Sequence, residues 1–195
     1  WQSGDPVPGT NGDTIDDVST LQNLVFHWQN GTQFTANQPP TASISNPADG
    51  GTFQDGETVA FAGSATDPED GQLTGTSLEW SFFLKHSGHL HQVGSSTTGE
   101  SGSHTIQIPS DHTASEMGYV FRLIATDSDG ASDLTEVELV PETSNITVDS
   151  SPQGIEVEFG PPLAPVAPTP YTTEVIVGNA HDLKAPATAC VDGTE

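Results

Sequence analysis

From residue 41 onward, apolar and polar side chains alternate in short runs broken by Gly, Pro, Asn and Asp. A period of two puts every second side chain on one face of an extended strand, so these runs predict strands rather than helices. Leu78, Trp80, Phe82 and Leu84 share a face in the run 77–85, as Tyr119, Phe121, Leu123 and Ala125 do in 118–127. In 132–141, Val137 and Leu139 point inward while Glu136 and Glu138 point outward. Further runs at 41–45, 57–65, 89–96 and 103–109, with turn signals between them, complete the pattern of an all-β sandwich.

The periodicity differs at both ends. Val18, Leu21, Leu24, Val25 and Trp28 recur at helical spacing, with Asp16 or Asp17 where an N-cap or first-turn acid belongs, which predicts one amphipathic helix over 16–28. Its apolar stripe is expected to pack on the sandwich in preference to a partner chain. Residues 1–15 are turn-rich and acidic, and Asn37-Gln-Pro-Pro40 punctuates the chain as a boundary. After Pro141 the runs shorten to 145–149, 154–159, 173–178 and 181–184, with a proline-rich bridge from Gly160 to Pro170. About fifty residues is marginal for an independent core, so this unit leans on its neighbour, continues past Glu195 or is completed by another subunit. The expected organisation is an arm over 1–38, a sandwich over 39–142 and a small β unit over 143–195. Trp80 falls on the third strand, where an immunoglobulin-like sandwich buries its central ring, and it is assigned to packing.

Charge narrows the function. Against 27 acidic residues stand Lys85, Arg122 and Lys184, a net charge of −24. Such a surface repels phosphate backbones and anionic lipid, which sets aside nucleic-acid binding and electrostatic membrane docking. It also repels itself unless salt screens it, as in proteins of haloarchaeal type that work in strong brine. No stretch approaches the roughly 18 apolar residues of a membrane span, and no secretory apolar region is present. The chain begins at Trp1, which fits a processed N-terminus or a boundary within a longer protein. Cys190 is the single cysteine, so no internal disulfide forms. Two N-x-S/T sequons, at Asn30 and Asn145, are compatible with an exported glycoprotein.

Two clusters carry candidate chemistry. In a sandwich the turns after the second and sixth strands meet at one end, which would crowd Asp67, Glu69, Asp70, Asp127 and Asp129, with Asp133 nearby. Like charges so placed call for bridging cations, and Ca²⁺ takes about 6–8 oxygen ligands from such loops. The plainer alternative is a solvated acidic rim bathed in K⁺ or Na⁺. At the opposite end, His86, His89 and His91 follow the third strand, and Asp111-His112 lies in the loop before the sixth. Convergent imidazoles suit Zn²⁺, Cu²⁺ or Ni²⁺ in a structural or tethering role, with Asp111 the one carboxylate available as a base. The alternative is a set of ordinary surface histidines. No Gly-x-Ser-x-Gly elbow and no Gly-rich phosphate loop is present, and no organic cofactor is expected.

Several segments are familiar. Ser64-Ala-Thr-Asp-Pro-Glu-Asp-Gly71, Leu78-Glu-Trp80, His86-Ser-Gly-His-Leu-His91 and Ala125-Thr-Asp-Ser-Asp-Gly130 resemble the PKD/immunoglobulin-like module at the C-terminal end of secreted glucose/sorbosone-type dehydrogenases. Ser150-Ser-Pro-Gln-Gly154, Pro168-Thr-Pro170 and Val177-Gly-Asn-Ala-His-Asp-Leu-Lys-Ala-Pro186 are similar to the PEGA-like β unit that follows it there. The resemblance runs collinearly over roughly 39–190 and implies fold and export. In that family the quinone-dependent chemistry belongs to a separate propeller, and nothing in this chain looks like propeller blades. Upstream, Asn11-Gly-Asp13 with Ile15-Asp-Asp-Val18 is similar to a shortened dockerin calcium loop.

These readings converge on a secreted, non-catalytic structural or adhesive protein at a haloarchaeal-type cell surface. Its expected partners are copies of itself or other surface proteins, in a filament or surface layer. The alternatives are an accessory module of a larger secreted sugar dehydrogenase, or a polysaccharide-binding module.

Overall fold

A computed structural model describes residues 26–27, 33–34, 36–109, 117–160 and 166–188. The first pairing lies where a helix was expected. Strand β1 (Phe26–His27) pairs antiparallel with β2 (Gln33–Phe34), placing Phe26 opposite Phe34. The predicted helix therefore does not extend over Phe26 and His27, and the rest of its span lies outside the described residues. Two local signals oppose the helical spacing there. Aromatic residues favour strands, and Asn30-Gly31, which lies between the two segments in sequence, is a strong hairpin dipeptide.

Alternation becomes sheet pairing over the next hundred residues. The strands are β3 (Thr41–Asn46), β4 (Thr52–Phe53), β5 (Thr58–Asp67), β6 (Gly71–Leu73), β7 (Leu78–His86), β8 (His89–Gln92), β9 (Thr97–Thr98), β10 (Ser101–Thr105), β11 (Gly118–Thr126) and β12 (Ser132–Pro141). One sheet runs β10-β5-β3, with β6 also on β5; the other runs β4-β12-β11-β7-β8, with β9 also on β7. Pairing is antiparallel except between β4 and β12. The protein is thus mainly β and antiparallel, as the patterning predicts.

The two inner faces meet in an aromatic core. Trp80 is fully buried, its indole N–H donating to the Gly99 carbonyl at 2.8 Å, and its ring lies 4.6 Å from that of Phe61 on the opposing sheet. Phe82, Phe121 and Tyr119 continue the stack, and burying each such side chain contributes roughly 1.5–3 kcal/mol. Gly63 sits beneath Leu123 and Trp80 of the opposing sheet: a β-carbon there would lie 2.8 Å from the Ser43 carbonyl oxygen and 2.7 Å from a Leu123 methyl. Glycine is needed for that approach.

The C-terminal unit comprises a ribbon of β13 (Thr143–Val148) with β16 (Tyr171–Ile176), and a sheet ordered β15 (Val166–Pro168), β14 (Glu156–Gly160), β17 (Asp182–Lys184). β15 lies inside the stretch expected to be only a bridge. There Ala167 pairs opposite buried Val157, so cross-strand packing overrides the turn signal of the flanking prolines. Ile176, at the end of the ribbon, is 2% exposed and belongs to the sandwich core. Backbone bonds lock it there: Asp55 N–H donates to the Val177 carbonyl and Val177 N–H to the Glu142 carbonyl, each at 2.9 Å.

Candidate functional site

The acidic turns follow strands β5 and β11. Asp67 ends its strand by folding its carboxylate back over the turn, Oδ1 accepting from the N–H groups of Glu69 at 2.9 Å and Asp70 at 2.8 Å. Asp127 repeats the device with Asp129 at 2.9 Å and Ala131 at 2.8 Å. Both are aspartate turns made by side chains that replace the missing ladder partners. The turns then join. Asp70 accepts from the Ser128 N–H at 2.7 Å and from its hydroxyl at 3.0 Å. The chain entering the sandwich closes the third side: Asn37 donates its amide to Asp127 Oδ2 at 2.8 Å, Gln38 N–H reaches Glu69 at 3.2 Å, and Ala42 N–H reaches Asp133 at 2.8 Å.

The structure thus brings the predicted acidic turns together, and two of their carboxylates go inward. Asp67 and Asp127 are only 5% and 7% exposed, while Glu69, Asp70 and Asp129 face solvent. For Asp127, desolvation pushes the carboxyl upward. The Asn37 amide and the N–H groups of Ala131, Gly130 and Asp129 outweigh it and hold the group below its ordinary range. Asp67 Oδ2 is buried with no hydrogen-bond partner among the described residues. A carboxylate oxygen in that position carries an uncompensated desolvation cost unless water or a cation meets it. Asp67 Oδ1, Asp127, Asp70 and Glu69 Oε2 are already engaged by neighbours, so among the described residues Asp67 Oδ2, Glu69 Oε1 and the Asp129 carboxylate are the oxygens left for an ion.

At the other end, Ser87 and Gly88 take positive φ of 47° and 77°, making the tight turn between β7 and β8. Register pairs His86 with His89 and Leu84 with His91, so His86, His89 and His91 occupy one face of the hairpin. The His86 and His91 rings stack at 4.7 Å and 11°. The stack holds these two imidazoles face to face, on the same side of the hairpin as His89. His112 and Asp111 lie outside the described residues, as does Asn30. Among the described residues, no group of three or more His, Cys, Asp or Glu side chains is arranged to hold a metal ion.

Sequence reasoning missed His104. It stacks on Phe82 at 3.9 Å and 14°, with Nε2 2.5 Å from the hydroxyl of buried Tyr119. Burial lowers the His104 pKa and raises that of Tyr119. The signal was present: His104, Ile106 and Ile108 alternate, and both isoleucines are buried.

All three basic residues are held by glutamates. Lys85 Nζ meets both oxygens of Glu138 at 2.9 and 2.7 Å, Arg122 Nε meets Glu136 at 2.6 Å, and Lys184 Nζ meets Glu158 at 3.3 Å. The Arg122 guanidinium also lies 4.3 Å from the centre of the Phe83 ring. Such surface pairs contribute at most about 1 kcal/mol each. Their effect on the surface is larger, because each Lys and Arg side chain is tied to a glutamate and only three such cations stand against 27 acids. Compared with known proteins, the chain matches no family model and no curated protein.

Proposed function

We propose that this chain is a non-catalytic structural or adhesive element displayed outside the cell in a high-salt environment. It assembles with copies of itself or with other surface proteins, and cations bind its acidic pole. The observation that carries this reading is the charge arrangement: a net charge of −24 in which each of the three basic residues is already paired with a glutamate. A fold with that surface is balanced by bound and screening cations. Calcium is the ion favoured at the pole, because the ligands on offer are hard carboxylate oxygens, and Asp67 Oδ2 is buried without a hydrogen-bond partner among the described residues.

A second feature supports a load-bearing role. The C-terminal unit is joined to the sandwich by a buried side chain and paired backbone bonds, which makes a stiff two-part element suited to repeated assembly. Sheet edges that have no partner strand among the described residues would accept strands from adjoining subunits. The test is the full chain in dilute buffer and in multimolar KCl or NaCl, each with and without Ca²⁺. Its readouts are thermal unfolding and electron microscopy. Stabilisation by salt together with ordered assemblies is the expected result. A chain that melts identically in all four conditions and stays monomeric would remove the proposal.

A further inference from the structure

Among the described residues, the sequon Asn145-Ile146-Thr147 lies in β13, one strand of the two-stranded ribbon. Register places Asn145 opposite Glu174 and Thr147 opposite Thr172. That face is polar and self-satisfied around the asparagine. Thr143 donates its hydroxyl to Glu174 at 3.0 Å, and the Thr147 and Thr172 hydroxyls meet at 3.2 Å. Glu174 is therefore engaged by Thr143, and the Asn145 carboxamide makes no hydrogen bond among the described residues. Strand alternation turns Ile146 and Val148 to the opposite, more buried side and leaves Asn145 exposed.

We propose that Asn145 is a site of N-linked glycosylation. The sequon supplies the acceptor nitrogen and a threonine hydroxyl two residues on, with isoleucine between them. The exposed carboxamide can carry a bulky group without displacing any packed side chain. The donor is an oligosaccharide on a polyprenyl phosphate or diphosphate. Asn145 Nδ2 attacks the anomeric carbon and a C–N bond forms. The C–O bond to the lipid phosphate breaks, the lipid phosphate leaves with the bonding electrons, and the amide proton passes to a carboxylate base of the transferase. The inference rests on the export reading above.

The test uses the full protein isolated from its native host. Cleavage after Glu142 and Glu156 releases residues 143–156, in which Asn145 is the sole asparagine. Mass spectrometry is expected to find that peptide heavier by one oligosaccharide, and the Asn145→Gln protein is expected to lose the increment. Unglycosylated wild type and Asn145→Gln, both made in a host without the transferase, should melt at the same temperature, which separates loss of the glycan from loss of the fold. An unmodified peptide from protein recovered outside the cell overturns the glycosylation site and leaves export standing. Protein found only inside the cell overturns the export reading and this inference with it.

Discussion

Asp70 grips Ser128 with both carboxylate oxygens, one taking the backbone N–H at 2.7 Å and the other the hydroxyl at 3.0 Å. The residues are 58 positions apart, so this contact ties the turn after β5 to the turn after β11. Asp70→Ala removes both bonds and leaves the Ser128 N–H to water. A cost of about 1–2 kcal/mol is expected, against about 0.5–1 kcal/mol for Ser128→Ala, which removes the hydroxyl bond alone. Urea unfolding in high salt measures both. Equal effects would mean that the backbone bond adds nothing.

The orphaned oxygen of Asp67 makes a sharper test of ion binding at the same pole. Ca²⁺ binding the folded state alone stabilises it by about 2.7 kcal/mol at a hundredfold excess over the dissociation constant. Thermal unfolding in constant brine should shift upward with added Ca²⁺. Asp67→Asn keeps the shape and the Oδ1 acceptor while removing the charge, and it should abolish most of the shift. A wild-type melting temperature unmoved by Ca²⁺ would leave Asp67 Oδ2 to water.

His104 gives the fold an acid-sensitive point. Burial lowers its pKa below the ordinary 6.5, so the folded state binds this proton less readily than the unfolded chain does. Its contribution is complete above about pH 6.5 and is lost as pH falls from there through the folded value. Acid also neutralises surface carboxylates, which relieves repulsion and acts the other way. The expected signature is therefore a difference: His104→Leu should lose less stability than wild type between pH 7 and pH 5, followed by urea unfolding. Parallel pH profiles for the two proteins would show that the histidine does not couple to folding.

Much of this was legible in the chain. β7, β11 and β12 lie where the alternation of Leu78-Trp80-Phe82, Tyr119-Phe121-Leu123 and Val137-Leu139 puts them, because one face of each strand must enter the core. β4, β6 and β9 were not legible, since strands of two or three residues are too short to display a period. The helical spacing of Val18 to Trp28 misled at Phe26 and His27, where a pairing partner at Phe34 decides the conformation. At the acidic pole, Asp-Pro-Glu-Asp and Asp-Ser-Asp marked turns, and sandwich topology brought them together. The inward rotation of Asp67 and Asp127 depends on backbone N–H groups in the turns themselves, which no residue pattern displays. The histidines share a face as strand parity requires, yet parity does not set ring orientation, and His86 and His91 stack.

The joint between the sandwich and the C-terminal unit offers the last prediction. Ile176 fills the end of the core, and Gly178, two positions on, takes φ of 86° with a would-be β-carbon 2.5 Å from the Asp55 carbonyl oxygen. Asp55 is fixed in turn: its Oδ1 accepts from the Ile108 N–H at 2.7 Å, and Asn179 donates its amide to the Ile108 carbonyl at 3.1 Å. Gly178→Ala must therefore move the ribbon away from the sandwich, because the obstructing atom is backbone and its own position is held. Ile176→Ala instead leaves the joint in place with a cavity, at a cost of about 2–4 kcal/mol. Calorimetry should find one transition for wild type and for Ile176→Ala, the latter shifted down. Gly178→Ala should split the trace, with the C-terminal unit melting first because its own core is small. A single unshifted transition for Gly178→Ala would mean that the contact does not hold the two parts together.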